Sequence, residues 1–176
     1  MEACSMDLDT IVLAKTDDDI REIAVLAEEI WNQHFVDIIG KAQVDYMVEK
    51  FQSYPALKKQ IEQEEYEYYR IFCGGLQAGY IGVHPEKDAL FLSKLYIRKD
   101  FRGKHLATGA LRFLAELCRK RGLKKIWLTC NKHNDHTLAV YDHLGFQITD
   151  EQVADIGNGY VMDDYILTYE LGTGHF

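Results

Sequence analysis

Apolar residues in the first third of the chain recur with helical spacing. Ile20, Ile23, Ala24, Ala27, Ile30 and Trp31 fall three or four positions apart, which lays them along one face of a helix. Thr16 stands where an N-cap belongs, and Asp17, Asp18 and Asp19 fill the first turn, where free amides and the helix dipole favour anions. A short strand over 10–14 precedes this helix. The pattern predicts a second helix near 43–51 and a third opened by Pro55 and running through Ile61.

From Tyr66 onward the pattern becomes that of strands. Residues 66–73 are aromatic and β-prone, Gly74-Gly75 makes a turn, and 78–83 is the returning strand. After a turn over 84–88, residues 89–97 form a long apolar run suited to a central strand. A loop over 98–104 leads to a helix whose Leu106, Ala110, Leu111, Leu114, Leu117 and Cys118 share a face. Arg119, Lys120 and Arg121 complement its C-terminal dipole, and Gly122 stops it. Residues 126–130 read as a strand. Asn134 is placed to cap a helix over 135–143, and 146–150 and 160–170 read as the last two strands, with Gly157-Asn158-Gly159 before the second. Strands and helices interleaved in this order predict one domain over 1–176, built on a mixed α/β sheet.

Composition narrows the class. No apolar run is long enough to span a bilayer, and the acidic start Met1-Glu2-Ala3-Cys4-Ser5 lacks the apolar stretch of a signal peptide. Cys4, Cys73, Cys118 and Cys130 are scattered without CxxC spacing, which fits a reducing cytoplasm and predicts neither a zinc nor a redox site. The net charge of −8 is unevenly spread: −9 over 1–70, +8 over 71–130 and −7 over 131–176. Solvated faces alone can produce such clustering. The chain is too acidic overall to suit nucleic acid, so a basic middle points to a phosphate-bearing small molecule and the acidic flanks to a cation.

The basic middle has a focus. The strand 89–97 ends in a loop containing Arg98, Lys99, Arg102, Gly103 and Lys104, and that loop opens a helix. Free N–H groups at a helix N-terminus, the dipole and four cations together suit a pyrophosphate. The loop is neither a GxxxxGK[ST] nor a GxGxxG sequence. Arg102-Gly103-Lys104-His105-Leu106-Ala107 resembles motif A of the GNAT (GCN5-related) N-acetyltransferase superfamily, Arg/Gln-x-x-Gly-x-Gly/Ala, with His105 in the place of the usual glycine. If that position needs a positive φ, His tolerates it better than most residues, and Gly103 takes up part of the bend. Asn134, Tyr141 seven residues later, and then Gly145-Phe146 resemble motif B of the same superfamily, again after a strand.

The resemblance implies a mostly antiparallel, twisted sheet of about seven strands flanked by helices. It implies acetyl-CoA as co-substrate, held between the strand ends at Ile97 and Cys130, with its pantetheine arm added to a free strand edge. Main-chain groups of Leu95, Tyr96 and Ile97 would contact the arm and the thioester, and a backbone N–H there would hold the developing oxyanion. Such a donor is worth about 2.7–4 kcal/mol at acyl-transfer sites. Arg102, Gly103, Lys104, His105, Leu106, Ala107 and Thr108 would cradle the pyrophosphate, Asn134 would bind the pantetheine, and Tyr141 would protonate the departing thiolate. Without the motif around it, Tyr141 reads as core packing.

The acceptor amine must lose a proton to attack, so a base or a water path to one is needed. Glu28 and Glu29 lie on the first helix beside Trp31 and His34, and Asp163 and Asp164 lie in the last strand. Adjacent strand residues face opposite ways, so one aspartate of the two reaches a cleft. Glu28, Trp31, Asp163 and Asp164 are therefore the candidate acceptor contacts, with solvated surface as the plainer reading of the acids. The ending Gly159-Tyr160-Val161-Met162-Asp163-Asp164-Tyr165 and the helix around Trp31 resemble the bacterial polyamine (spermidine/spermine-type) acetyltransferases, which implies a cationic acceptor. Amino acids, antibiotic amines and protein N-termini are the other acceptors of such a fold, and a non-catalytic acyl-CoA-binding module is the reading of a different class. No metal is expected: His133 and His136 flank Asn134-Asp135 without a third ligand. Trp127 reads as core beside the thioester position, and an exposed final strand, 161–169, as the edge of a homodimer.

Overall fold

The structure is a computed structural model that describes residues 11–172 and 176; Cys4 and Thr10 lie outside the described residues. One seven-stranded sheet organises the chain in the order β1-β2-β3-β4-β5-β7-β6. The strands are β1 (Ile11–Leu13), β2 (Glu67–Cys73), β3 (Leu76–Pro85), β4 (Ala89–Ile97), β5 (Lys125–Asn131), β6 (Gln147–Gly157) and β7 (Tyr160–Glu170). β4 and β5 pair in parallel and every other pair is antiparallel. This is the mixed, mostly antiparallel sheet that the motifs implied.

The helices are α1 (Asp17–His34), α2 (Val36–Ile39), α3 (Lys41–Met47), α4 (Tyr54–Gln63), α5 (Leu106–Arg121) and α6 (Asp135–His143). Thr16 closes a capping box on α1, its Oγ1 accepting from the Asp19 amide at 3.1 Å while Asp19 accepts from the Thr16 amide. Ser53 caps α4, with Pro55 in its first turn. Strand alternation sends Tyr69, Ile71, Ile81 and Val83 to a core shared with Ala110, Leu111 and Leu114 of α5. Tyr68 and Tyr80 turn to the other face, against Ile20, Ile23, Ala27 and Ile30 of α1 and Leu57 of α4. Arg70 ties α1 to β2 through Asp19 at 3.0 Å and Glu22.

The structure departs from the sequence pattern in three places. The expected second helix is divided: α2 is an extra turn, Gly40 (φ 87) restarts the chain as α3, and a π-helical turn (Val48–Gln52) follows. β6 runs to Gly157 instead of ending near Asp150. Its Asp150-Glu151-Gln152 stretch has little intrinsic strand preference, and pairing with β7 from Gln147 to Gly157, interrupted by two register shifts, overrides that. β7, expected to be a free dimer edge, is paired on both sides, to β5 and to β6; the outer strand here is β6. No helix among the described residues is long and apolar enough to cross a membrane.

Candidate active site

The central feature is an opening between two parallel neighbours. β4 and β5 pair only at Ala89–Lys125, Leu90–Ile126 and Phe91–Trp127. On its other side β4 carries a bulge: Gly82 of β3 pairs with Lys94 and Val83 with Leu92, leaving Ser93 out of register. A bulge bends its strand and increases the local twist. Pairing with β5 stops two residues before Ser93, so the two strands diverge and residues 92–97 of β4 keep an edge unpaired with β5. On the β3 side the backbones stay close. A Cβ on Gly79 would lie 2.3 Å from the Tyr96 carbonyl oxygen.

The loop beyond β4 begins with a short 3₁₀ turn (Lys99–Phe101). The Arg102 Nε donates to the Ile97 carbonyl at 3.2 Å, tethering the loop to the strand end. Gly103 adopts φ 78 and His105 adopts φ 59, ψ 24, so both take left-handed backbone within three residues. His105 occupies the N-cap of α5, yet no side chain caps the helix there. The Gly109 amide is bonded back to the His105 carbonyl at 3.0 Å. The amides of Leu106, Ala107 and Thr108 therefore have no acceptor within the helix. Release of left-handed strain at a non-glycine residue is worth about 1 kcal/mol, or about 2–4 °C in a chain of this size. His105→Gly is accordingly expected to raise the melting temperature by that amount, and the β-branched His105→Val to lower it at least as far. Scanning calorimetry of both variants checks this.

These elements enclose a cleft of about 800 Å³. Leu95, Tyr96, Ile97, Arg102, Gly103, His105, Leu106, Ala107, Thr108, Asn134 and Tyr141 line it, as do Trp31 and Asp164. Lys104 does not: its ammonium lies 5.4 Å over the Phe101 ring, because the reversal between Gly103 and His105 turns the side chain out. Asn134 sits at the N-terminus of α6 but makes no capping bond; its side chain is buried and faces the cleft instead. Tyr141 is buried on α6, edge-on to Phe146 at 5.1 Å, and burial pushes its phenol above the ordinary range. Tyr141 is thus a core aromatic and a cleft residue at once.

The two aspartates of β7 part as strand alternation requires. Asp163 ion-pairs with Lys132 at 3.0 Å, outside the cleft. Asp164 turns the other way, is 5% exposed, and its Oδ1 has no hydrogen-bond partner. Burial first and then the Asp163 charge raise its pKa to about 6, with Lys132 opposing. Tyr96 of β4 and Cys130 of β5 face the same carboxylate, and its charge adds to the burial that raises their pKa values. A folded-state pKa raised from 3.8 gives stability that is fully present below pH 4 and lost as pH rises through about 6. Asp164→Asn is therefore expected to be more stable than the parent by about 3 kcal/mol at pH 8 and to match it near pH 4. Denaturant midpoints at the two pH values measure the difference.

Two other expectations fall outside the cleft. Glu28 follows Ala27, which packs on the sheet; one residue on, it is exposed and opens on a separate hollow with Val48, Glu49 and Tyr54. Trp127 stacks on Phe91 at 4.2 Å and donates to Glu86 at the paired end of β4 and β5, away from the opening. The sequence reading missed His34, Phe35, Met47, Phe51 and Met162, all of which line the cleft. Some signal existed: Trp31 and Phe35, and Met47 and Phe51, are spaced i, i+4, and Met162 lies two strand residues from Asp164. His34 is held toward its neutral form by burial and by Arg102, with Asn134 acting in the opposite sense. Among the described residues no group of three or more His, Cys, Asp or Glu is arranged to hold a metal ion.

Comparison with known proteins gives this geometry a family. The uncharacterized N-acetyltransferase YdgE of Bacillus subtilis (strain 168) is 34% identical over 67 residues, 38% of this chain and 42% of that protein. The uncharacterized N-acetyltransferase YjgM of Escherichia coli (strain K12) is 29% identical over 100 residues, 54% of this chain and 60% of that protein. The chain thus spans about half the length of these curated relatives. Among solved structures, the PaiA N-acetyltransferase of Thermoplasma acidophilum in complex with coenzyme A superposes with TM-score 0.74 at 16% identity, over 91% of this chain and 98% of that one. The spermidine/spermine N-acetyltransferase SpeG of Vibrio cholerae does so with TM-score 0.63 at 15% identity, over 93% and 95%. At such identities these two speak for the fold. The acetyltransferase (GNAT) family profile matches residues 23–146, more than two thirds of the chain, from within α1 to the end of the second motif, and the chain belongs to that family.

Proposed function

We propose that the protein is an acetyl-CoA-dependent N-acetyltransferase that acetylates a small primary amine by direct attack within a ternary complex. The observation that carries this reading is the divergence of β4 and β5 beside three uncapped amides of α5. The donor set suits coenzyme A. Backbone amides of Leu106, Ala107 and Thr108, with Arg102 beside them, offer a pyrophosphate a positive helix terminus. The unpaired edge of β4 at Leu95, Tyr96 and Ile97 offers an amide-bearing arm a strand to pair with, and Asn134 supplies a buried polar contact. In the transfer, the amine nitrogen bonds to the thioester carbonyl carbon and the carbon–sulfur bond breaks. A β4 amide holds the carbonyl oxygen as its charge grows. Tyr141 gives its proton to the departing sulfur, and the nitrogen loses one to a base.

The acid-rich flanks that suggested a polyamine do not converge on the cleft. Of its lining residues among those described, Glu64 and Asp164 are the carboxylates. Glu29 faces Arg98 at 3.8 Å, Asp163 faces Lys132, and Glu28 opens elsewhere. The reading is tested by calorimetric titration with acetyl-CoA, followed by thiol release across polyamines, amino acids, aminoglycosides, short peptides and simple amines. Micromolar binding with amine-dependent release is expected. Binding without release from any amine would instead mark a non-catalytic acyl-CoA-binding module.

A further inference from the structure

Away from the loop before α5, the cleft is bounded by α1, α3, the π-helical turn and β7, and this wall is mostly apolar, with His34 and Gln52 as its polar members besides Asp164. Trp31, Phe35, Met47, Phe51 and Met162 line it, with Tyr96 at its junction with β4. Trp31 lies 4.3 Å from Phe35 and 5.7 Å from Tyr96, ring centre to ring centre, so the aromatic surface is continuous. Flat rings and adaptable methionine side chains make a binding surface for an apolar body.

Charge in this branch is sparse and specific. Asp164 presents a buried carboxylate oxygen with no partner. Leaving a carboxylate unpaired in such surroundings is costly, so the group is complementary to one arriving ammonium. Also buried here is a lysine whose pKa burial lowers to about 7. Lys94 is 6% exposed, and its ammonium donates to the Phe51 carbonyl at 3.2 Å, to Gln60 Oε1 at 3.0 Å and to the Tyr68 hydroxyl. Three oxygens use its three donors, so it offers an incoming anion no free N–H. When Lys94 is protonated, its field also disfavours a second ammonium beside it, and among the described residues Glu64 is the one other carboxylate on the cleft. A polycation placed here would bury charges with little to meet them.

Resting on the acetyltransferase reading, we propose that the acceptor is a monoamine whose primary amino group sits on an apolar, ring-sized body, and that Asp164 receives the ammonium and takes its proton. The apolar body lies along Trp31, Phe35, Met47, Phe51 and Met162. The ammonium loses one proton to the Asp164 carboxylate, and the neutral nitrogen attacks the thioester carbon. The departing sulfur takes the Tyr141 proton, and the nitrogen, now bonded to carbon, gives its second proton to the Tyr141 phenolate. Nitrogen thus loses two protons, one to Asp164, which releases it to solvent, and one that replaces the proton Tyr141 gave to sulfur.

The test measures thiol release by the full chain with 2-phenylethylamine, cyclohexylmethylamine, putrescine, spermidine and lysine, with acetyl-CoA affinity measured separately by calorimetry. The two apolar monoamines are expected to exceed spermidine by at least about 10-fold in kcat/KM, the scale of one buried apolar or charged contact. Met162→Glu, which adds a carboxylate to the wall, is expected to move that ratio toward spermidine by about 10-fold. Phe51→Glu carries the same comparison if Met162→Glu does not fold. Asp164→Asn is expected to lower kcat/KM for every amine by about 10²-fold with unchanged acetyl-CoA affinity. Preference for putrescine, spermidine or lysine in the parent overturns the inference and leaves the acetyltransferase reading intact. So does full activity of Asp164→Asn, or a ratio that neither glutamate variant shifts. Acetyl-CoA binding with no turnover of any amine overturns both.

Discussion

Tyr141→Phe is expected to lower kcat by about 10²–10³-fold while leaving the dissociation constant for acetyl-CoA unchanged. A positioned proton donor contributes about 10²–10⁴-fold, and the change removes a single oxygen from a side chain whose ring keeps its edge-on contact with Phe146. Burial raises the Tyr141 phenol, so it is protonated throughout the working pH range and always available as a donor. The need for it follows from its surroundings. Leu128, Val140 and Leu144 line the cleft along with Tyr141, so a thiolate formed beside them would find few polar partners, and an unsatisfied anion in such surroundings is expensive. The proton therefore has to arrive as the carbon–sulfur bond breaks. Single-turnover measurements isolate the chemical step. An unchanged rate in that step would remove Tyr141 from this role, whereas weaker acetyl-CoA binding would point to a packing role.

Gly79→Ala is expected to destabilise the fold by about 3 kcal/mol, at the upper end of ordinary overpacking costs, and to lower the melting temperature by about 6–12 °C. The added Cβ would meet the Tyr96 carbonyl oxygen at 2.3 Å and the Ile97 side chain at 2.9 Å. The first of these is backbone and cannot swing aside, so β3 and β4 must separate at the Tyr80–Tyr96 and Gly79–Ile97 pairs. Those pairs support the β4 edge to which the acetyl-bearing arm is assigned. The folded fraction of the variant is therefore expected to lose acetyl-CoA affinity as well as stability. Thermal melts with and without ligand measure both effects. Loss of stability with unaltered affinity would mean that β4 holds its edge without close packing on β3.

Much of this architecture follows from short-range rules. The 3.6-residue spacing from Ile20 to Trp31, the Thr16–Asp19 box, Pro55 at the start of α4 and Gly122 at the end of α5 act within one or two turns, and each appears where the chain places it. The loop that opens α5 is of the same kind. Left-handed backbone at Gly103 and His105 concerns a few consecutive residues, and the exposed amides follow from ending a helix without a cap. Alternation along β7 likewise required that one aspartate of Asp163 and Asp164 turn inward.

Which one does so depends on register with β5 and β6, strands separated from β7 by different stretches of chain. The opening itself arises from a bulge in the β3–β4 pairing, and nothing around Ser93 announces that two strands will lose register there. The long β6 and the internal position of β7 follow from pairing energy shared between strands, which outweighs weak local preference. The apolar acceptor wall gathers α1, α3, the π-helical turn and β7, so Met47, Phe51 and Met162 acquire their common role only in space. Local patterns set how each segment folds because they act through the backbone of neighbouring residues. Distant partners decide where each side chain ends up, because burial and pairing are properties of surfaces that meet only once the chain has closed.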